Sequence, residues 1–159
     1  MKRVLVVYYT QSGQLKEIID SVLSPLMEVT IDFLPIDTAE PFPFPWTGEA
    51  FFGAFPESYL QIPQPLKPFE FVHTDYDLVI LGYQVWYLSP SIPFNSFLQS
   101  EAGKQLLQGK PVITVSGTRN MWVMAHQKVK KLLTECGAHL VGNIALTDRH
   151  HNHISVITI

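Results

Sequence analysis

The chain has 159 residues, 47% of them hydrophobic and 16% charged, which is a balance typical of one folded domain of ordinary size. Its formal net charge of −3 provides no basic surface for nucleic acid or an anionic membrane. No apolar run approaches the roughly 18 residues of a membrane span, and no signal-peptide pattern follows the first residues. Because the single cysteine, Cys136, excludes an internal disulfide, we expect a cytoplasmic protein.

Five apolar runs predict the strands of a parallel sheet. The strongest cover residues 3–9, 78–83 and 112–116, where β-branched residues do not alternate with polar ones. That pattern is typical of strands covered by helices on both faces. Weaker runs at 29–36 and 140–147 complete the five strands.

Apolar residues at helical spacing separate these strands. One such face predicts a helix that begins near Leu15 and ends near Pro25, and another predicts a helix over 125–136 that is terminated by Gly137. A third, less regular helix is expected over 93–107. Strands that alternate with helices predict one doubly wound α/β domain over residues 1–159.

The second crossover interrupts this alternation. Eight of the twelve prolines lie between Pro35 and Pro68, interleaved with seven aromatic residues. Proline at this density excludes a long helix, so we expect an irregular insertion over residues 35–75. A long ordered loop in a compact domain is usually functional.

The junction between the first strand and the first helix carries the strongest candidate site. Thr10 and Ser12 supply hydroxyl groups, Gly13 allows close approach to the backbone, and the start of a helix attracts a phosphate group. An ordinary N-cap is the alternative interpretation. The junction is not a P-loop, because the Gly-Lys-Ser/Thr ending is missing. The candidate residues are Thr10, Gln11, Ser12, Gly13, Gln14 and Leu15.

Two further loops are expected to meet the first, because loops after the carboxyl ends of parallel strands surround one crevice. They cover residues 82–90 and 116–122, and their aromatic residues could cover a flat ring. Trp86 and Tyr87 either stack on that ring or pack under the proline-rich insertion. The candidate residues are Gln84, Val85, Trp86, Tyr87, Gly117, Thr118 and Arg119.

These motifs carry a family resemblance. Residues 10–13 resemble the Thr-x-Thr-Gly phosphate loop of the flavodoxin superfamily, and residues 82–90 are similar to the G-x-P-V-W-Y…P segment of its NAD(P)H-dependent FMN oxidoreductase branch. Residues 4–16 and 79–93 also resemble proteins that are labelled dialkylresorcinol-condensing enzymes. The sequence departs from the pattern at Leu15, where a further Thr is usual, and at Gln84, where Pro is usual.

The resemblance implies a flavodoxin-like fold with FMN as the cofactor. The phosphate would lie on Thr10, Ser12, Gly13 and Gln14, and the flavin ring between the loops around Trp86 and Arg119. Arg119 either lies near the pyrimidine edge of the ring or is a solvated residue. A small-molecule substrate, with NAD(P)H as a candidate hydride donor, and a homodimer are implied as well.

Three functions remain open at this stage. The leading hypothesis is an FMN-dependent oxidoreductase that transfers hydride between a nicotinamide or organic ring substrate and the flavin. The alternatives are a flavodoxin-type electron carrier and a degenerate flavodoxin-like interaction module without flavin. No catalytic residue is assigned. Carbon–carbon condensation would need an activated cysteine, whereas helical spacing places Cys136 in the core.

The end of the sequence raises three further expectations. The histidine-rich run at 149–153 lacks a Cys pair, so no native metal site is expected there. Only eleven residues follow Asp148 and the last six are mostly β-branched, so we expect no normal final helix. We expect residues 154–159 to lie against another chain or against the sheet.

Overall fold

A computed structural model describes residues 1–119 and 121–147 of the chain. Five parallel strands form the sheet in the order β2-β1-β3-β5-β6, and a two-residue strand, β4, pairs antiparallel with the end of β3. The strands are β1 Lys2–Tyr8, β2 Val29–Pro35, β3 Leu78–Trp86, β4 Ser89–Pro90, β5 Pro111–Thr118 and β6 His139–Thr147. This confirms the predicted doubly wound α/β sheet, with β4 as an addition.

The register of the sheet brings the predicted site loops to one edge. Tyr8 at the end of β1 pairs with Gly82, and Gln84 pairs with Gly117 near the end of β5. The end of β3 therefore lies between the ends of its two neighbours. This edge is where an open parallel sheet ordinarily binds ligands.

Six helices accompany the strands in the described ranges. They are α1 Gln14–Leu23, α2 Gly48–Gly53, α3 Phe55–Tyr59, α4 Ile92–Gln99, α5 Glu101–Leu107 and α6 Trp122–Glu135. The ends of α1 and α6 lie close to the predicted positions. Gly137 has φ +70° just after the C-cap Cys136, so glycine suits the left-handed position that ends α6.

Two hydrophobic cores cover the two faces of the sheet. Leu15, Ile19 and Leu23 of α1 pack on one face. The larger core lies on the other face and includes Phe94 and Phe97 of α4, both fully buried. Cys136 belongs to this larger core, as helical spacing predicted. Burial of each large apolar side chain contributes about 1.5–3 kcal/mol.

The prediction of one helix over 93–107 was wrong. Ser100 lies in an extended conformation with ψ 151° and separates α4 from α5. Its hydroxyl oxygen accepts a hydrogen bond from the backbone N–H of Gly103 at 3.0 Å. Serine competes with helical hydrogen bonding in this way, so it caps α5 rather than continuing α4.

Strands β3 and β5 are longer than the sequence predicted. Gln84, Val85 and Trp86, expected in a loop, lie on β3, while Gly117 and Thr118 lie on β5. Tyr87 and Leu88, with φ of 50° and 62°, form the two-residue turn between β3 and β4. Positive φ at both central residues is the geometry of a type I′ hairpin.

The proline-rich insertion is mostly irregular, as expected. Its only regular helices are α2 and α3, of six and five residues. Thr38 forms an isolated antiparallel bridge with Leu66, which joins the start and end of the insertion.

The expectations for the end of the chain cannot be compared with the structure. The expected absence of a final helix, the expected position of residues 154–159 and the histidine-rich run all concern residues outside the described ones, which end at Thr147. None of the described helices has the length and apolar character needed to span a membrane.

Candidate functional site

The β1–α1 loop, residues 9–13, ends in a glycine that starts α1. Gly13 is the N-cap residue with φ +92°, and no side chain caps the helix there. The Thr10 hydroxyl accepts a hydrogen bond from Gly13 N–H at 3.0 Å, and the Ser12 hydroxyl accepts one from Gln14 N–H at 3.4 Å. The N–H groups of the first helical turn have no intrahelical partner. The loop therefore presents hydroxyl and backbone donors, with Ser12 exposed.

The backbone conformation gives a second reason for glycine at position 13, beside the predicted close approach of a ligand. A Cβ built there would have no atom within 4 Å, so the protein itself does not require a close approach. The requirement is the left-handed backbone conformation, which costs roughly 1–2 kcal/mol for a residue with a Cβ.

Leu15 anchors the end of the β1–α1 loop in the hydrophobic core. Its side chain is 2% exposed and packs in the core on the α1 face of the sheet. Only its backbone can therefore contact a ligand. Beneath it, a Cβ at Gly82 would lie 2.5 Å from Ile19 Cδ1 and 3.0 Å from Tyr8 Cβ, so glycine allows α1 to pack closely on β3.

Gln11 and Gln84 connect three segments of the candidate site. The buried Gln84 accepts a hydrogen bond through Oε1 from Gln11 N–H at 3.3 Å. Gln11 Nε2 in turn donates to the Pro43 carbonyl at 2.8 Å. Within the described residues, the buried Oε1 of Gln11 has no hydrogen-bond partner. Gln84, which replaces the proline of the family pattern, thus makes a contact that proline could not make.

Trp86 lies inside an aromatic cluster that consists of Tyr9, Phe42, Trp46 and Trp86. It is 7% exposed, with ring centroids 5.7 Å from Tyr9 and 5.0 Å from both Phe42 and Trp46, all in edge-to-face geometry. Burial, and secondarily the charge of Asp37, raises the pKa of Tyr9 far above its usual value. The structure shows Trp86 packed under the proline-rich insertion, and its stacking on a flavin ring stays a prediction.

Tyr87 contacts the same insertion from the hairpin turn. Its ring lies 5.1 Å from Phe51 and 5.0 Å from Phe55, and its hydroxyl donates to the Phe51 carbonyl. Burial raises the pKa of the Tyr87 hydroxyl. Val85, the preceding strand residue on β3, is half-buried against the larger core.

The end of β5 contributes buried polar atoms. Thr118 is 3% exposed, and its Oγ1 has no hydrogen-bond partner within residues 1–119 and 121–147. Gly117 and Arg119 are half-buried.

On the neighbouring strand β3, the ring of Tyr83 stacks on Phe94 with a centroid distance of 5.0 Å. Burial raises the pKa of Tyr83 to about 12, against a smaller opposing effect of Ser116.

The structure therefore brings the β1–α1 loop and the end of β3 into direct contact through Gln11 and Gln84. The end of β5 lies next to them, because Gly117 pairs with Gln84 in the sheet. The roles predicted for these residues toward a ligand stay predictions.

Sequence reasoning missed Ser58, whose buried hydroxyl donates to the Trp86 carbonyl at 3.1 Å and anchors α3 to β3. No pattern in the sequence marks that contact. Among the described residues, no group of three His, Cys, Asp or Glu side chains could hold a metal ion.

Comparison with solved structures places this geometry in a known architecture. A flavoprotein from Lactobacillus acidophilus in complex with FMN matches with a TM-score of 0.72 and 16% identity over 91% of this chain and 93% of that one. The apo-form of the flavoprotein from the same organism matches with a TM-score of 0.59, 18% identity and 94% coverage of each chain. Oxidised flavodoxin 1 from Bacillus cereus matches with a TM-score of 0.51, 17% identity and coverage of 98% and 92%.

The chain has a flavodoxin-like fold. Its strand order is consistent with that assignment. No protein-family model and no curated protein sequence matches the chain.

Proposed function

We propose that this flavodoxin-like protein binds FMN, with the phosphate at the β1–α1 loop, and acts as an FMN-dependent oxidoreductase. The observation that carries the proposal is the loop itself, where a left-handed Gly13 and two hydroxyl groups surround an uncapped helix start. A phosphate group is well matched to such a helix start. The solved neighbour in complex with FMN supports the same cofactor.

The donor set fits a phosphate without rearrangement of the chain. Thr10 and Ser12 can turn their hydroxyl groups toward an anion, and the backbone N–H groups of α1 already point outward. The carboxylate of the first turn is that of Glu17, and no acidic residue lies in the loop itself, residues 9–13. Lys16, in the first turn, holds Asp20 at 2.5 Å, so its charge is already paired.

The ring portion of FMN meets a different environment. Because Phe42 and Trp46 lie against Trp86, stacking on Trp86 requires one of these side chains to move aside. Gln11 Oε1 and Thr118 Oγ1 are buried polar atoms that a ring with N–H and carbonyl groups could satisfy. Bound FMN would supply reversible hydride transfer, while Tyr87 and the insertion would exclude water.

The aromatic cluster also supports one competing function, a flavodoxin-like interaction module without flavin. In that case Phe42 and Trp46 permanently occupy the space beside Trp86. The electron-carrier alternative would bind FMN but would not oxidise a nicotinamide. NAD(P)H as hydride donor, the small-molecule substrate and the homodimer stay predictions.

Titration separates these functions. We expect the purified protein to bind FMN at least tenfold more tightly than riboflavin, which has the same ring but no phosphate, because the charge-assisted contacts of the loop are lost. Steady-state oxidation of NADH and NADPH then distinguishes an oxidoreductase from a carrier. Failure to bind FMN would support the flavin-free module. Equal affinity for FMN and riboflavin would remove the β1–α1 loop as the phosphate site.

A further inference from the structure

Segment 41–46 of the insertion covers the aromatic cluster but is held in place by few polar contacts. It contributes the two rings that lie 5.0 Å from the ring of Trp86. Among the residues that the structure describes, its one hydrogen bond to the rest of the chain joins the Pro43 carbonyl to Gln11 Nε2, at 2.8 Å. Apart from ring packing, Gln11 is therefore the residue that fixes this segment over Trp86.

The orientation of the Gln11 amide follows from its partner. Pro43 offers only a carbonyl oxygen, so the amide nitrogen has to face it. The amide oxygen, Oε1, then faces away from Pro43, where it is buried without a hydrogen-bond partner in the described part of the chain. A buried acceptor without a donor is unfavourable. The closed position of segment 41–46 is thus held by one hydrogen bond and opposed by one unsatisfied oxygen.

Gln84 holds the backbone of Gln11 from the side of the sheet. Its Oε1 accepts a hydrogen bond from Gln11 N–H at 3.3 Å, and Gln84 is buried on β3. Proline, which is usual at this position in the family pattern, has no side-chain acceptor. The pair of glutamines is therefore particular to this chain. It joins the β1–α1 loop to β3 on one side and to the insertion on the other.

Opening of the aromatic cluster disturbs the contact between Gln11 and Pro43. A flavin ring reaches Trp86 when Phe42 or Trp46 moves aside, and Pro43 lies between these two residues in the chain. Displacement of the segment that carries both rings therefore moves the Pro43 carbonyl away from Gln11 Nε2. The amide is then free to turn, and its oxygen can accept a hydrogen bond from a ligand or from water.

We propose that Gln11 is a positioning residue, which acts through Pro43 to keep the insertion closed over Trp86 until a ligand enters. The inference rests on the proposed function, and it adds the residue that couples the phosphate loop to access of the ring. Loss of the Gln11 donor lets segment 41–46 open in flavin-free protein. It also speeds entry of the flavin ring, without changing the preference of the loop for a phosphate group.

Acrylamide quenching of flavin-free protein measures the opening. In a Trp122→Phe background all tryptophan emission comes from Trp46 and Trp86, the two tryptophans of the aromatic cluster. Gln11→Met keeps a long side chain but removes the donor, so the quenching constant should rise about two- to tenfold, the effect of one hydrogen bond on an equilibrium. Gln105→Met is the matched control, because Gln105 is an exposed glutamine of α5.

Two further variants at the same position separate the donor from the bulk of the side chain. Gln11→Glu has nearly the same shape but only acceptors, so it should open segment 41–46 as Gln11→Met does. Gln11→Lys keeps an N–H donor and should return the quenching constant toward the original value. A residue that only fills space would not give this order. Urea unfolding of each variant distinguishes local opening from loss of the fold.

Stopped-flow mixing with FMN and with riboflavin tests the second consequence. Both flavins should associate about two- to tenfold faster with Gln11→Met than with the unchanged protein, because opening of the segment precedes entry of the ring. The ratio of the two affinities should stay the same, since Thr10, Ser12 and Gly13 are intact.

An unchanged quenching constant in Gln11→Met, or an equal rise in Gln105→Met, would overturn the inference. So would a constant that stays high in Gln11→Lys, because the donor would then not be what holds the segment. If Gln11→Met does not fold, Gln11→Glu decides in the same way. Failure of the unchanged protein to bind FMN would contradict the proposed function alone, since quenching by acrylamide needs no flavin.

Discussion

The β1–α1 loop and the aromatic cluster lie side by side at one edge of the sheet but differ in their readiness for a ligand. The loop exposes Ser12 and places outward-facing N–H groups on a helix that the core already fixes. The cluster buries Trp86 to 7% exposure beneath Phe42 and Trp46. A phosphate needs only the first arrangement, whereas a flavin ring needs the second one to open. We therefore expect the phosphate contribution to binding to be preformed and the ring contribution to depend on motion of the insertion.

Trp86→Ala should have the largest effect on stability. If Trp86 is a packing residue, its removal should lower the free energy of unfolding by about 3–5 kcal/mol, as for other buried large side chains. Phe52→Ala is the matched control, because Phe52 is 74% exposed. Urea unfolding measures both. If Trp86→Ala is as mild as the control while FMN affinity and fluorescence quenching change, Trp86 is a flavin contact and the aromatic cluster opens readily.

Gly82→Val should have the next largest effect, because it disturbs the rigid support of the β1–α1 loop. A Cβ at this position would lie 2.5 Å from Ile19 Cδ1, and overpacking of this kind costs roughly 1–3 kcal/mol. Gly48→Ala is the control, since nothing lies within 4 Å of its added Cβ. Thermal unfolding of the two variants would be compared. A Gly82→Val protein as stable as Gly48→Ala would mean that α1 moves freely on the sheet.

Gly13→Val should act mainly on the ligand. A branched residue at φ +92° is strained by roughly 1–2 kcal/mol, and the strain reshapes the loop that would hold the phosphate. FMN affinity should fall at least tenfold, with riboflavin affinity unchanged. Gly53→Val is the control, because its Cβ also meets nothing within 4 Å and its φ is not left-handed. Unchanged FMN affinity in Gly13→Val would end the assignment of the loop.

The sequence could predict features that depend on local signals, but not contacts between residues far apart in the chain. The five parallel strands, the helix start near Gly13 and the burial of Cys136 follow from periodicity and local backbone preferences, which the sequence carries directly. The interpretation of Trp86 depended on where Phe42 and Trp46 lie, and residues forty positions apart have no local signal for their contact. The contact of Ser58 with the Trp86 carbonyl likewise joins residues far apart in the sequence, so packing decides it. The break at Ser100 differs, because it rests on a local hydrogen bond between the serine hydroxyl and Gly103 N–H.

Alkaline titration should give the smallest effect and tests whether the aromatic cluster is closed without ligand. Burial raises the pKa values of Tyr9 and Tyr87, and that of Tyr83 to about 12, so folding favours their neutral forms. Stability from these tyrosines is therefore complete below the unfolded pKa near 10 and is lost as pH rises toward the folded pKa values. At pH 10 the loss for Tyr83, whose folded pKa is about 12, is only about 0.4 kcal/mol.

Tyrosinate absorbance and stability between pH 9 and 11 measure this effect in flavin-free protein. Tyr83→Phe should flatten the decline of stability with pH, because it removes one hydroxyl whose pKa burial raises. Late ionisation of Tyr9 and Tyr87 would show that Phe42, Trp46 and Phe51 remain closed over the hairpin. If Tyr9 and Tyr87 ionise near pH 10 instead, the insertion opens on its own. The ring portion of FMN would then meet an accessible Trp86, and the contrast between the loop and the cluster would disappear.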